Sequence, residues 1–150
     1  MPQSLARVNI HLIFSTKRRA PIIGDPIRED LHAYAAVVLK NLGCSSAIIN
    51  SVEDHAHLLF ELSRTRTIAE VVEEVKKATS KWIKTRGPEF ADFSWQAGYG
   101  AFAVSASKYD AVRRYIADQR EHHRGRSFQE EFRAFCERHG LALDERYAWD

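Results

Sequence analysis

Two apolar runs, SAIINSV at 46–52 and HAHLLFEL at 55–62, are separated only by Glu53 and Asp54. A connection that short gives two extended runs one arrangement: an antiparallel pair closed by a tight acidic turn. The rest of the chain has to be built around that pair. Upstream, VNIHLIF at 8–14 is rich in β-branched and apolar residues and reads as a buried strand. A basic loop, STKRRAPIIGDP, follows it. From Asp25 to Leu42 the apolar residues Ile27, Leu31, Tyr34, Val38 and Leu42 recur every three or four positions, and Gly43 is a natural stop, so a helix is predicted there.

Downstream, Thr67 with Glu70 three residues on forms a capping-box pattern. The helix it opens carries Ile68, Val71, Val75 and Trp82 on one stripe and ends near Gly87-Pro88. An extended run is predicted over WQAGYGAFAV at 95–104. A helix opened by Ser107-x-x-Asp110 and running to about Arg124 comes next, then a last helix over 127–139 and an aromatic tail with Tyr147 and Trp149. The order strand, helix, strand, strand, helix, strand is the split βαβ plan of ferredoxin-like folds, an α/β (α+β) antiparallel sheet with added C-terminal helices. In that plan the first and third strands are central, so the strand bearing His55 and His57 has a partner on each side.

No repeat, low-complexity stretch or linker breaks the 150 residues, and one domain over 1–150 is expected. The longest apolar stretches are well short of a membrane span, and no secretory signal pattern stands at the N-terminus, so a cytoplasmic chain is expected. Cys44 and Cys136 share no metal-ligand spacing and read as buried thiols. The net charge of +2 demands no nucleic-acid partner, but residues 64–86 hold seven Lys/Arg against three Glu. Lys76, Lys77, Lys81 and Lys84 fall in that stretch. They suit either a solvated helix face or contact with phosphates.

Alternation along a strand projects His55 and His57 from one face, roughly 6.5–7 Å apart along the strand, with Ala56, Leu58 and Phe60 turned the other way. Two such imidazoles either hold a divalent ion or sit as partly exposed histidines without one. Tyr115 and Gln119, four apart on the expected helix, share a side, and His122 falls there too. A phenol with an ordinary pKa near ~10 is scarcely ionised at neutral pH, so a tyrosine that attacks a phosphodiester benefits from a neighbouring cation. Alone, Tyr115 reads as core or rim packing and Gln119 as a solvated side chain. His11 reads as a structural histidine near the pair.

Taken together these segments resemble the single-tyrosine HUH transposases of small bacterial insertion sequences. The resemblance rests on DHAHLLFEL at 54–62, RRYIADQREHH at 113–123, WQAGYGAFAVS at 95–105 and the closing DERYAWD, in order over nearly the whole chain. It implies His55, His57 and Gln119 as ligands of a divalent ion, Mg2+ or Mn2+, and Tyr115 as the nucleophile. It further implies cleavage and rejoining of single-stranded DNA with hairpin ends through a 5′-phosphotyrosine. A homodimer whose tyrosine helix can serve the partner's histidines is also implied. Ala56 departs from the more familiar valine without touching the ligand face. Candidate DNA contacts are Lys17, Arg18 and Arg19 in the basic loop and Lys76, Lys77, Lys81 and Lys84 on the second helix. Trp95 and Tyr99 are stacking candidates for unpaired bases, with burial as the other reading. Two rivals stand beside this reading. One is a replication- or relaxase-type HUH nickase, disfavoured by the small size and single candidate tyrosine. The other is a non-catalytic hairpin-binding protein on the same fold.

Overall fold

The computed structural model of the chain describes residues 2–119 and 125–150. Four strands, β1 (Asn9–Ser15), β2 (Ser45–Ser51), β3 (His55–Glu61) and β4 (Gly100–Val104), form one antiparallel sheet in the order β2-β3-β1-β4. The first and third strands are central, as the element order predicts. Helices α1 (Asp25–Asn41) and α2 (Ile68–Lys84) cover one face of this sheet. Helices α3 (Tyr109–Ala117) and α4 (Phe128–Arg138) lie on the other. Among the described residues, no helix is long and apolar enough to cross a membrane.

Strand alternation divides the core in two. Ile10, Leu12, Phe14, Ala56, Leu58 and Phe60 point toward α1 and α2 and pack with Leu31, Leu39, Val71, Val75 and Ile83. The opposite residues, His11, Ile13, His55 and His57, face the second layer, where Ile13 and Phe102 meet Phe128, Phe132, Phe135 and Cys136. Both cysteines are buried and free, as expected. Thr67 caps α2 by accepting the Glu70 N–H at 3.1 Å, and Ser127 caps α4 through Glu130 at 3.2 Å. Gly43 ends α1 with φ +77°, the left-handed backbone that glycine adopts without penalty.

Two element boundaries differ from the sequence reading, each for a physical reason. The run predicted over 95–104 enters the sheet only at Gly100. Trp95 makes a lone bridge to Thr16, and the carbonyls of Gln96 and Gly98 accept hydrogen bonds from the Lys76 ammonium at 2.8 and 2.6 Å instead of joining a ladder. The helix expected from Ser107 to about Arg124 begins at Tyr109, after a 3-10 turn over Ala106–Lys108, and stops at Ala117. Ser107 shares its hydroxyl with Ser105 rather than capping the helix. At the far end the Asn50 amide donates to the carbonyls of Ile116 and Ala117 at 2.8 and 3.3 Å, which satisfies groups that another turn would have used. Tyr115 and Gln119 are therefore not on one continuous helix, and Asp118 between them has ψ 25°. His122 and the predicted helix end at Arg124 lie outside the described residues.

Candidate active site

The register places Ser15 opposite His55 and Ile13 opposite His57, so both imidazoles rise from the middle of the sheet toward α3 and α4. Each is completely buried. Their Nδ1 atoms are engaged behind the site. His55 Nδ1 donates to Asp54 Oδ1 at 2.6 Å, and His57 Nδ1 shares a 2.8 Å hydrogen bond with His11 Nε2. That arrangement fixes both rings and turns both Nε2 atoms forward, toward one carboxylate. Glu131 of α4 holds its Oε1 2.9 Å from His57 Nε2 and 3.3 Å from His55 Nε2. Its other oxygen, Oε2, accepts a short hydrogen bond from the Tyr115 hydroxyl.

Tyr115 thus reaches the histidines of its own chain, with its ring centroid 6.0 Å from that of His57. Gln119, fully buried just beyond α3, donates Nε2 to the Tyr115 carbonyl at 3.3 Å, and its amide also hydrogen-bonds the Tyr115 side chain. Four sequence-predicted residues therefore meet at one place, although the helix expected to align two of them is broken.

The electrostatics follow from burial around one carboxylate. Burial opposes charge on His55, but its hydrogen bonds to Asp54 and Glu131 and their negative charges outweigh it, and the imidazole pKa is raised. His11 goes the other way, pulled down to about 3 by burial and by the neighbouring His57. It is a neutral support, in line with its sequence reading. Burial, then the hydrogen bond to Glu131 and its charge, raise the Tyr115 phenol above its ordinary value. With Glu131 beside it, this phenol needs a cation before it can act as an oxyanion.

The donor set fits a divalent ion. Two imidazole Nε2 atoms converge from a rigid sheet with their rings locked from behind, and a carboxylate oxygen lies between them. One ligand atom from each of His55, His57 and Glu131 falls within 4.8 Å of the others.

The basic candidates separate. Lys17, Arg18 and Arg19 form an exposed 3-10 turn directly after β1, and Arg18 and Arg19 hold left-handed φ values of 59° and 54°. Thr16 N binds the Asp54 carbonyl at 2.8 Å, so this turn adjoins the His55 end of β3. Lys77, Lys81 and Lys84 are exposed on α2, on the other side of the sheet from Tyr115. Lys76 is half-buried, bonded to the 96–98 carbonyls and over the Phe14 and Tyr99 rings, and burial lowers its pKa to about 8. Trp95 packs edge-on against Phe14 and Phe93 and donates Nε1 to Thr79 at 2.9 Å, a core position rather than a stacking platform. Tyr99 is 38% exposed beside Lys76 and keeps a face toward solvent.

Sequence reasoning missed Glu131 and Asp54. Glu131 stands on the stripe Phe128, Phe132 and Phe135, and a carboxylate amid aromatic residues at helical spacing was the available signal.

The family model described as "Transposase IS200 like" matches residues 4–119. The chain belongs to this family. Two solved structures share its fold. One, a protein of Deinococcus radiodurans R1 described as a "putative transposase", has a TM-score of 0.62 and 20% identity over 79% of this chain and 98% of that one. The other, a REP-associated tyrosine transposase bound to a REP hairpin, has a TM-score of 0.60 and 13% identity over 82% of this chain and 73% of that one. No curated protein matches the chain. The family match ends at Gln119, so it includes His55, His57 and Tyr115 and stops short of α4 and Glu131.

Proposed function

We propose that this IS200-like transposase cleaves and rejoins single-stranded DNA at insertion-sequence ends through a 5′-phosphotyrosine. The observation that carries the reading is the meeting of Tyr115 with His55 and His57 around one buried point, in a chain of this family. His55 and His57 would hold a divalent ion, Mg2+ or Mn2+, through Nε2, and Gln119 would join them through its amide oxygen. When bound, the ion polarises the scissile phosphate and steadies the departing 3′ oxygen. The chain's own residues do the rest. Asp54 and His11 keep the imidazoles aimed, the sheet holds them rigid, and α3 presents the phenol. The Tyr115 oxygen forms a bond to phosphorus as the bond to the 3′ oxygen breaks, and the phenolic proton ends on the 3′ hydroxyl. The phosphodiester count is unchanged, so rejoining elsewhere needs no nucleotide hydrolysis.

Single-stranded DNA with hairpin ends is the substrate of this reading, acted on by one domain in the cytoplasm. A homodimer accompanies it. Because Tyr115 reaches the histidines of its own chain, chemistry within each protomer is expected: Tyr115→Phe and His57→Ala proteins mixed by co-refolding regain no activity. Recovery of cleavage in the mixture would instead place the tyrosine in the partner's site. The main test is covalent capture. With metal and an oligonucleotide of the element's end, the wild-type chain gives a denaturant-resistant DNA adduct. Tyr115→Phe loses it completely while hairpin binding stays within about twofold. An undiminished adduct in Tyr115→Phe would end the assignment.

A further inference from the structure

Glu131 has no part in the mechanism above, yet its carboxylate contacts His55, His57 and Tyr115. It is fully buried on α4, whose stripe is otherwise Phe128, Phe132, Phe135 and Cys136. A carboxylate is costly to bury unless cations or strong donors surround it, so its place in an aromatic layer calls for a charged partner. Oε1 lies 2.9 and 3.3 Å from the two histidine Nε2 atoms. Those separations have a second meaning. Ligands about 2.1 Å from one ion lie about 3.0 Å apart at right angles and about 3.4 Å apart at tetrahedral angles. Both separations therefore match those of neighbouring ligands on one ion, and all three atoms lie within 4.8 Å of one another.

We infer that Glu131 is a further protein ligand of the divalent ion, a carboxylate brought by α4 to the His55–His57 pair. This rests on the metal-dependent reading above and deepens it. The ligand set becomes two imidazoles, one carboxylate and the Gln119 amide, the mixed nitrogen and oxygen set that suits Mn2+ or Fe2+ and, in a six-coordinate ion, leaves two positions for phosphate oxygens. One unit of the ion's charge is neutralised by the protein, so the site carries a net +1 toward the DNA rather than +2. The second oxygen keeps Tyr115 within the same carboxylate's reach, so ion and nucleophile share one anchor. The inference also makes α4, which the family match does not include, part of the active centre.

Calorimetric titration of the DNA-free protein with Mn2+ tests this without any activity readout. Wild type binds one ion, His57→Ala loses binding, and Glu131→Gln, nearly isosteric, binds on the order of 10- to 100-fold more weakly. A Glu131→Cys protein loaded with Co2+ gives a direct signature, a sulfur-to-cobalt charge-transfer band that wild type lacks, since Cys44 and Cys136 are not at the site. If Glu131→Gln binds Mn2+ as tightly as wild type or more tightly, the carboxylate is no ligand and the inference fails while the His55–His57 metal site stands. Glu131→Cys without the band has the same meaning. Equal Mn2+ binding by wild type and His57→Ala would instead remove the metal site itself.

Discussion

At the scale of single residues, burial sets protonation, and His32 isolates that effect away from the active site. Its Nε2 meets Ser51 Oγ at 2.7 Å beneath α1, and burial lowers its pKa from 6.5 to about 4. The unfolded chain takes up this proton near pH 6.5 while the folded chain refuses it until about pH 4. The contribution is therefore fully present above 6.5 and is lost as pH falls through that window. Urea midpoints at pH 7.5 and 5 should fall more for wild type than for His32→Gln. Equal losses would mean that His11, which shifts in the same direction, carries the acid sensitivity. That His55, His57, Tyr115 and Gln119 belong together was legible because their motifs, each weak alone, stand in order along the chain. Glu131 was not. Its role depends on which face of α4 meets the sheet, and Asp54, inside a two-residue turn, looked like ordinary turn chemistry.

At the scale of elements, the strands β1 to β3 and the Thr67 cap were readable, and the Ser107 cap and the ends of β4 and α3 were not. Val, Ile and Phe alternation and the Thr67–Glu70 pattern act locally, whereas β4 and α3 are shortened by partners distant in sequence, Lys76 and Asn50. Asn50→Ala leaves the last carbonyls of α3 without their donor. It should cost about 1 kcal/mol in denaturant unfolding and slow single-turnover cleavage, because Tyr115 lies one residue before those carbonyls. Unchanged stability would show that solvent replaces the amide freely. Gly100 tests how α4 is seated. A Cβ there would lie 2.8 Å from Phe132 Cε2, 2.9 Å from Phe102 Cε2 and 3.1 Å from Ile13 Cγ2. The glycine leaves room for the close approach of aromatic rings. Gly100→Ala should destabilise by about 1–3 kcal/mol and weaken Mn2+ binding by displacing the helix that carries Glu131. Full stability in Gly100→Ala would mean that the Phe132 ring moves without cost.

At the scale of the whole molecule, the sheet separates two surfaces with different demands. The face toward α3 and α4 holds the proposed active site, with His55, His57, Gln119 and Glu131 closed from solvent. On the other side α2 exposes Lys77, Lys81 and Lys84 at helical spacing, one stripe facing away from Tyr115. Lys76 belongs to neither surface, since its ammonium is bonded to the 96–98 carbonyls and steadies the entry to β4. Charge on α2 can therefore attract and orient DNA without touching the reacting phosphate. Replacing Lys77 and Lys81 together by Gln should weaken hairpin binding and reduce the slope of log affinity against log salt by up to about 0.9 for each duplex phosphate no longer neutralised. Cleavage of saturating DNA in a single turnover should keep the wild-type rate, because the proposed ligands and Tyr115 lie across the sheet. A salt slope equal to wild type would mean that the stripe faces only solvent. A normal slope with slower cleavage would show the two sides of the sheet to be coupled, with α2 acting on the site through the core rather than through DNA.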